Sequence, residues 1–286
     1  MNRTRSPLAA IGRALTLVCA VACLQLSEAR AQSPTLTVSD RDSKKTYTRQ
    51  ELLTHRALRD ITIADPVYGR SMTYRAIPMA DLLKDMKIGA DDYVQARATD
   101  NFSIGIPGQL LGSASTAHAE AFVAVEDPAA PWPVLAKSHE KLSAGPFFIV
   151  WRLEPSAHIS REYWAYQLAA LTVTDSPLKR WPGLAVAANV PAVDPIRAGL
   201  DRYVEHCISC HRFNGEGEGE QGPDLGRPMN AVEYFQIPAL KKLIRNPSSV
   251  RKWPEQKMPR FDESNLSDSD LDALIAWLAY KARQSR

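Results

Sequence analysis

Cysteine is scarce in this 286-residue chain, and so are unbalanced charge and long apolar runs. Of four cysteines, Cys19 and Cys23 fall in the first 31 residues, and only Cys207 and Cys210 come after them. A fold stapled by several disulfides is therefore excluded. The net charge is +3, and residues 1–31, with four arginines and one glutamate, carry all of it. Residues 32–286 hold 31 basic and 31 acidic residues, which excludes the strongly basic domain that nucleic-acid binding wants. The apolar run Ala14–Leu26 has 13 residues, short of the roughly 20 of a spanning helix. No Ser/His/Asp triad, P-loop, G-x-G-x-x-G signature or internal repeat is present, so no separate catalytic site is expected.

The first segment reads as an export signal. Arg3, Arg5 and Arg13 precede the apolar run, and Ala29-Arg30-Ala31 offers small residues for cleavage. The expectation is a signal peptide over 1–31, cut near Ala31, and a periplasmic protein. A retained segment would instead be a membrane anchor. Ala20-Val21-Ala22 before Cys23 is a poorly formed lipoprotein box. The remaining 255 residues suggest two domains.

The most specific signal is Cys207-Ile208-Ser209-Cys210-His211, a C-x-x-C-H haem attachment motif. Each thiol can add to a vinyl group, and the histidine is then held beneath the iron as the proximal ligand. A disulfide or a thioredoxin-type pair are the alternatives. The latter belongs where a strand enters a helix, in a strand–helix alternation that this sequence lacks. The second nitrogen of His211 needs an acceptor to fix the ring. Gly222-Pro223-Asp224-Leu225-Gly226 supplies one in the carbonyl of Pro223. For the far side of the iron, Met258 is the first candidate, in a loop stiffened by Pro259. Met229 is the second, and a distal site with no sulfur ligand is the third possibility.

Around the motif the pattern is helical. Ile196, Leu200, Tyr203 and Val204 give one helix an apolar face, and Pro238 opens another with Leu240, Leu243 and Ile244 inward. Ser267, with Asp270 three residues on, caps a last helix whose stripe is Leu271, Leu274, Ile275 and Leu278. Pro177, Pro182, Pro191 and Pro195 mark residues 175–194 as a linker with little core-forming content. Residues 32–174 read as an α+β domain, with strands at Thr35–Val38, Tyr93–Ala98, Phe102–Ile106, Ala121–Glu126, Phe147–Leu153 and Gln167–Val173. Helices are expected after the capping box Thr48-Arg49-Gln50-Glu51 and at Met79–Met86.

Residues 195–286 resemble an all-α class I c-type cytochrome domain. The matching positions are Gly199 and Tyr203, the C-x-x-C-H motif, Gly222 to Leu225, Met258-Pro259, and Leu271 to Leu278 with Trp277. The resemblance implies one covalently bound haem c, with His211 and Met258 on the iron. It also implies a close crossing of first and last helices, Gly199 against Trp277. Trp253, Phe235, Phe261 and Tyr280 are candidates to line the haem crevice. Lys241, Lys242, Arg245, Arg251, Lys252, Lys257 and Arg260 form a basic cluster suited to an acidic redox partner. His206 is expected on the helix surface.

Arg75–Leu83, Val94–Phe102, and Ala144-Gly145-Pro146 with the strand after it resemble, in order, the sulfite-oxidase-type molybdopterin-binding fold. That family holds molybdenum through a cysteine near the end of an early strand. The comparable stretch here is Ile61-Thr62-Ile63-Ala64-Asp65, and residues 32–206 contain no cysteine. Alanine cannot replace a soft thiolate, so a molybdopterin cofactor is not expected. His118, His139 and His158 lack ligand spacing and read as surface residues. The Pro-rich loop Asp127–Pro133 either docks a partner or caps the sheet. The chain is thus expected to transfer electrons between periplasmic redox proteins through one haem, with its first domain for docking or recognition. The alternative is a haem-bearing subunit or fusion form of a periplasmic dehydrogenase whose first domain binds a substrate or a molybdopterin-like cofactor.

Overall fold

The computed structural model describes residues 33–112, 118–136, 141–155, 157–254 and 256–284. The expected signal peptide and His139 lie outside these residues. Among the described residues no helix is long and apolar enough to cross a membrane.

The first half is built from two sheets. The strands are β1 (Thr35–Ser39), β2 (Lys44–Thr48), β3 (Arg59–Asp65), β4 (Arg70–Pro78), β5 (Tyr93–Ala98), β6 (Ser103–Pro107), β7 (Ala119–Val125), β8 (Phe147–Leu153) and β9 (Leu168–Thr174). One sheet has the order β2-β1-β9-β5-β6, the other β3-β4-β7-β8. Every pairing is antiparallel except β1 with β9. Alternation decides which face is inward: Leu36 and Val38 in β1, Ile61 and Ile63 in β3, and Met72, Tyr74 and Ala76 in β4 are all buried. Phe147–Trp151 in β8 is buried without alternation, and its Ile149 N–H donates to the Ala165 carbonyl beyond the sheet. One hydrophobic core takes residues from both sheets.

Three strands, β2 to β4, were not expected from the sequence: β2 buries only Tyr47, β3 alternates through just two apolar residues, Ile61 and Ile63, and β4 sets Met72 and Ala76, poor strand markers, around Tyr74. The helix α1 (Arg49–Leu53) forms behind the expected capping box, which is complete. The helix α2 is shorter than expected, Met79–Leu82, although Leu82 and Leu83 are both buried. A further short helix, α3, spans Gly108–Gly112.

The C-terminal third is helical. After α4 (Pro177–Arg180) come α5 (Pro195–His206), α6 (Ala231–Tyr234), α7 (Ile237–Arg245), α8 (Pro247–Val250) and α9 (Asp268–Gln284). A second hydrophobic core gathers Leu200, Tyr203, Phe213, Leu240, Leu274, Trp277 and Leu278. Two cores make two domains, a sheet-rich one and a helical one. The segment read as a linker departs from expectation. Its Leu184 is fully buried and, with Val186, belongs to the helical core. Lys281 Nζ on α9 donates to the Gly183 carbonyl at 2.6 Å, and the Ala187 N–H donates to Tyr280 Oη at 3.0 Å. Proline stiffens this segment, and Leu184 and Val186 are the side chains it gives to the core, while Leu178 and Val193 stay exposed.

Candidate functional site

The Asp194 carboxylate caps α5 by accepting the Ile196 N–H at 2.9 Å, and Pro195 opens its first turn. The helix stops at Cys207, where the chain tightens: Cys210 N–H and His211 N–H both donate to the Cys207 carbonyl, at 3.0 and 2.8 Å. One turn therefore carries both thiols and the imidazole. Tyr203 Oη donates to the His211 carbonyl at 2.9 Å, fixing this turn to the helix before it. The Tyr203 ring stacks on Trp277, 4.5 Å between centroids, and Phe213 fills the next place at 5.1 Å from Trp277.

The helices α5 and α9 cross at Gly199. A Cβ built there would overlap the Ala273 carbonyl and stand 2.8 Å from Trp277 Cβ, so no larger residue permits this approach.

His211 Nδ1 lies 2.7 Å from the Pro223 carbonyl oxygen. That oxygen can only accept, so Nδ1 carries the proton and Nε2 keeps its lone pair. The loop presenting Pro223 is tied by Asp224, whose carboxylate accepts backbone N–H groups of Asn214, Gly215, Gly226 and Arg227 at 2.6 to 3.1 Å. A Cβ at Gly222 would come within 2.6 Å of His211 Nδ1. Burial lowers the pKa of His211, against the opposing effect of the Pro223 bond. Cys207 and Cys210 are free thiols, and burial pushes both above their ordinary value. A dithiol redox pair has the reverse property, a lowered thiolate pKa.

Met258 is half-buried and packs on the helical core, as Leu225, Val232 and Phe235 also do. Met229 is 53% exposed. Of the aromatics, Phe261 is buried, Tyr280 is half-buried and Trp253 lies largely open. Lys241 and Arg245 pair with Asp272 and Asp268 on α9, so two of the seven clustered cations are not free.

His206 corrects an expectation. It is not on the helix surface but 3% exposed, against the first domain, with Nδ1 3.2 Å from Ser160 Oγ. Sequence reasoning could not find this contact, because Ser160 lies 46 residues earlier in another domain. The strap that carries Ser160 is stitched down on both sides. Arg161 reaches Asp262 and Ser264, both at 3.0 Å, and its N–H donates to Asn265 Oδ1. His158 is exposed, and its Nε2 meets the Ser264 carbonyl at 2.7 Å. A second bridge joins Gln95 and Arg180 to the nearly buried Glu218 carboxylate, at 2.5 and 2.6 Å.

Asp65 is buried at the end of β3 and fully engaged. Tyr74 Oη donates to Oδ2 at 2.5 Å, and the Val67 and Tyr68 N–H groups donate to Oδ1. It caps the β3–β4 turn. Among the described residues no cluster of His, Cys, Asp and Glu could hold a metal ion, and His118 is exposed.

The cytochrome c family model matches residues 196–281. This segment is a cytochrome c domain. No curated protein sequence matches the chain. The match gives no support to the molybdopterin-type resemblance of residues 32–174, which lie outside it.

The residues of the cytochrome c domain fit haem c. Two thiols and a neutral imidazole share one turn, Gly222 leaves the ring its room, and half-buried apolar side chains stand on the same core. Among the described residues of the first domain nothing fits molybdenum, since its sequence offers no thiol and the Asp65 carboxylate is taken.

Proposed function

We propose that this chain is an exported monohaem electron-transfer protein, with haem c joined to Cys207 and Cys210 and its iron held by His211 and Met258. The single observation that carries the reading is the fixed His211 tautomer, Nδ1–H on the Pro223 carbonyl and Nε2 left as the donor. Bound haem c supplies a one-electron couple, and a thioether sulfur on the iron raises its potential. The protein's part is to hold geometry. Tyr203 and Asp224 keep the motif and the Pro223 loop from moving, so the same ligands serve both oxidation states. The other basic residues of the cluster, Lys242, Arg251, Lys252, Lys257 and Arg260, suit an acidic partner.

The sheet-rich domain serves docking or recognition, held against the cytochrome c domain by the Ser160–His206 and Arg161–Asp262 contacts. The test is spectroscopic. The purified protein should carry one covalent haem and show a methionine-to-iron charge-transfer band when oxidised. Loss of that band on Met229→Ala but not on Met258→Ala would overturn the ligand assignment.

A second reading, a haem-bearing dehydrogenase subunit, is favoured by one feature. A cleft of about 410 Å³ lies between the domains, lined by Arg70, His158 and Trp164 from one and Ser264 and Asn265 from the other. Stoichiometric molybdenum or a bound substrate in protein from the native host would support it over a free carrier.

A further inference from the structure

We propose that Gln95, on the sheet-rich domain, is a positioning residue for the iron's histidine: through Glu218 it holds the loop that sets the Pro223 carbonyl against His211. The inference rests on haem being attached at Cys207 and Cys210. Residues 213–222 form a loop that leaves the attachment turn and returns to it. Phe213 and Glu216 exchange backbone hydrogen bonds at 2.7 and 3.0 Å. The Gly219 N–H donates to the Ile208 carbonyl at 3.0 Å, and the Gly222 N–H to the Cys210 carbonyl at 2.9 Å. Gly217 and Gly219 lie flat on the turn. A Cβ at Gly217 would stand 3.2 Å from the His211 carbonyl oxygen, and one at Gly219 would overlap the Cys210 backbone. Glu218, between them, sends its side chain the other way, to β5 and β6.

The Glu218 carboxylate is where the loop meets the sheet-rich domain. Its side chain is 5% exposed and lies over Gly105 of β6, 3.9 Å from where a Cβ would stand. Gln95 faces Gly105 across the β5–β6 pair, and its Nε2 donates to Glu218 Oε2 at 2.5 Å. Arg180 Nη1 donates to Oε1 at 2.6 Å, from a guanidinium set on the Trp181 ring. Trp181 packs on the helical core, so Arg180 acts from the haem side. Among the described residues Gln95 alone brings this carboxylate a donor from the sheets. A loop with glycine at 215, 217, 219 and 222 has little stiffness of its own. Asp224 ties the end beyond Pro223, and Glu218 ties the end before it. Lifting a nearly buried carboxylate off its donors leaves a charge under-paired in a poorly solvated place, which is costly. That cost keeps the Pro223 oxygen 2.7 Å from His211 Nδ1. A firm bond there makes the imidazole a more basic ligand, which favours the ferric state.

The experiment is hydrogen exchange of the His211 Nδ1 proton, followed by NMR in the full-length ferric holoprotein, with the midpoint potential measured beside it. Covalent haem is read on each sample first. Gln95→Leu removes the donor, and Gln95→Glu sets a like charge against Glu218. Both should speed the exchange about tenfold or more, the factor that goes with one hydrogen bond to a charged group. The amides of α9 should exchange as in wild type, since global stability is not what changes. Gln95→Leu, which adds no charge, should also raise the midpoint. Adding Glu218→Gln to Gln95→Glu reverses donor and acceptor and should restore slow exchange. Arg161→Gln, which breaks the other stitch between the domains, should leave the proton as slow as in wild type. Exchange or a midpoint in Gln95→Leu equal to wild type would overturn the proposal. So would an equal acceleration in Arg161→Gln or across the α9 amides, or a double variant that stays fast. If Gln95→Glu yields no holoprotein, Gln95→Leu against Arg161→Gln decides by the same criterion. Wild type without covalent haem would fail the functional reading itself, before any variant is compared.

Discussion

Ser160 Oγ and His206 Nδ1 meet at 3.2 Å, both side chains buried, one in each domain. Nε2 of the same histidine has no hydrogen-bond partner among the described residues. Ser160→Ala would leave the ring with no bond at all, a loss of about 1–3 kcal/mol for an unmade buried bond. The flanking Arg161–Asp262 pair is half exposed, and Asp262→Ala should cost no more than about 1 kcal/mol. Thermal unfolding of the full-length holoprotein ranks the two, and a larger loss in Asp262→Ala contradicts the assignment.

The same histidine makes stability depend on pH. Burial, aided by Arg202 and His158, lowers its pKa from 6.5 to about 4. Between those values the unfolded chain binds a proton that the folded one refuses. The contribution is whole above pH 6.5, declines as the pH falls, and is gone below about 4. The size is on the order of 3 kcal/mol. Denaturant midpoints measured from pH 7.5 to 4 should fall in wild type and fall less in His206→Gln.

Gly199 is a steric test of the helix crossing. A Cβ there meets the backbone carbonyl of Ala273, which cannot step aside as a side chain can. Gly199→Val should destabilise the holoprotein by about 3 kcal/mol or more. A melting temperature within a degree or so of wild type would mean the helices do not cross at this point.

Gly222→Ala acts on the ligand rather than the fold. The added methyl would crowd the His211 ring against its bond to the Pro223 carbonyl. The expected result is covalent haem still present, with an altered ferric spectrum and a shifted midpoint potential. An unchanged spectrum would show that the ring has room to spare.

Replacing Cys207 and Cys210 together by alanine should abolish haem that survives a denaturing gel. Covalent haem in that double variant would place the attachment elsewhere.

The helical third was legible because its chemistry is local. The motif, the Pro223 loop and the Ser267 cap each lie within a few residues, and the structure forms the caps and stripes there. Gly199 and Trp277 are far apart in sequence, yet each is conspicuous: a lone glycine in an apolar face, and a lone tryptophan in the last helix. The sheet-rich domain was only half legible. β8 stood out by its unbroken Phe147–Trp151 run, while β4 alternates through Met72 and Ala76, which do not announce a strand, and β3 offers only the short Ile61–Ile63 alternation among polar residues. The domain interface was illegible. His206, Arg161 and Asn265 are ordinary polar residues in sequence, and their meaning comes from partners that only the tertiary fold brings near.

Leu184 gives the connection between the domains a practical meaning. Because the helical core includes it, and α9 holds Gly183 and Ala187 by hydrogen bonds, the two domains are not beads on a string. A fragment begun at Pro195 would lack a wall of its own interior, whereas one begun before Ser176 would keep it. Swapping haem modules between proteins at this junction must carry those twenty residues along, since they travel with the haem side rather than dividing it from its neighbour.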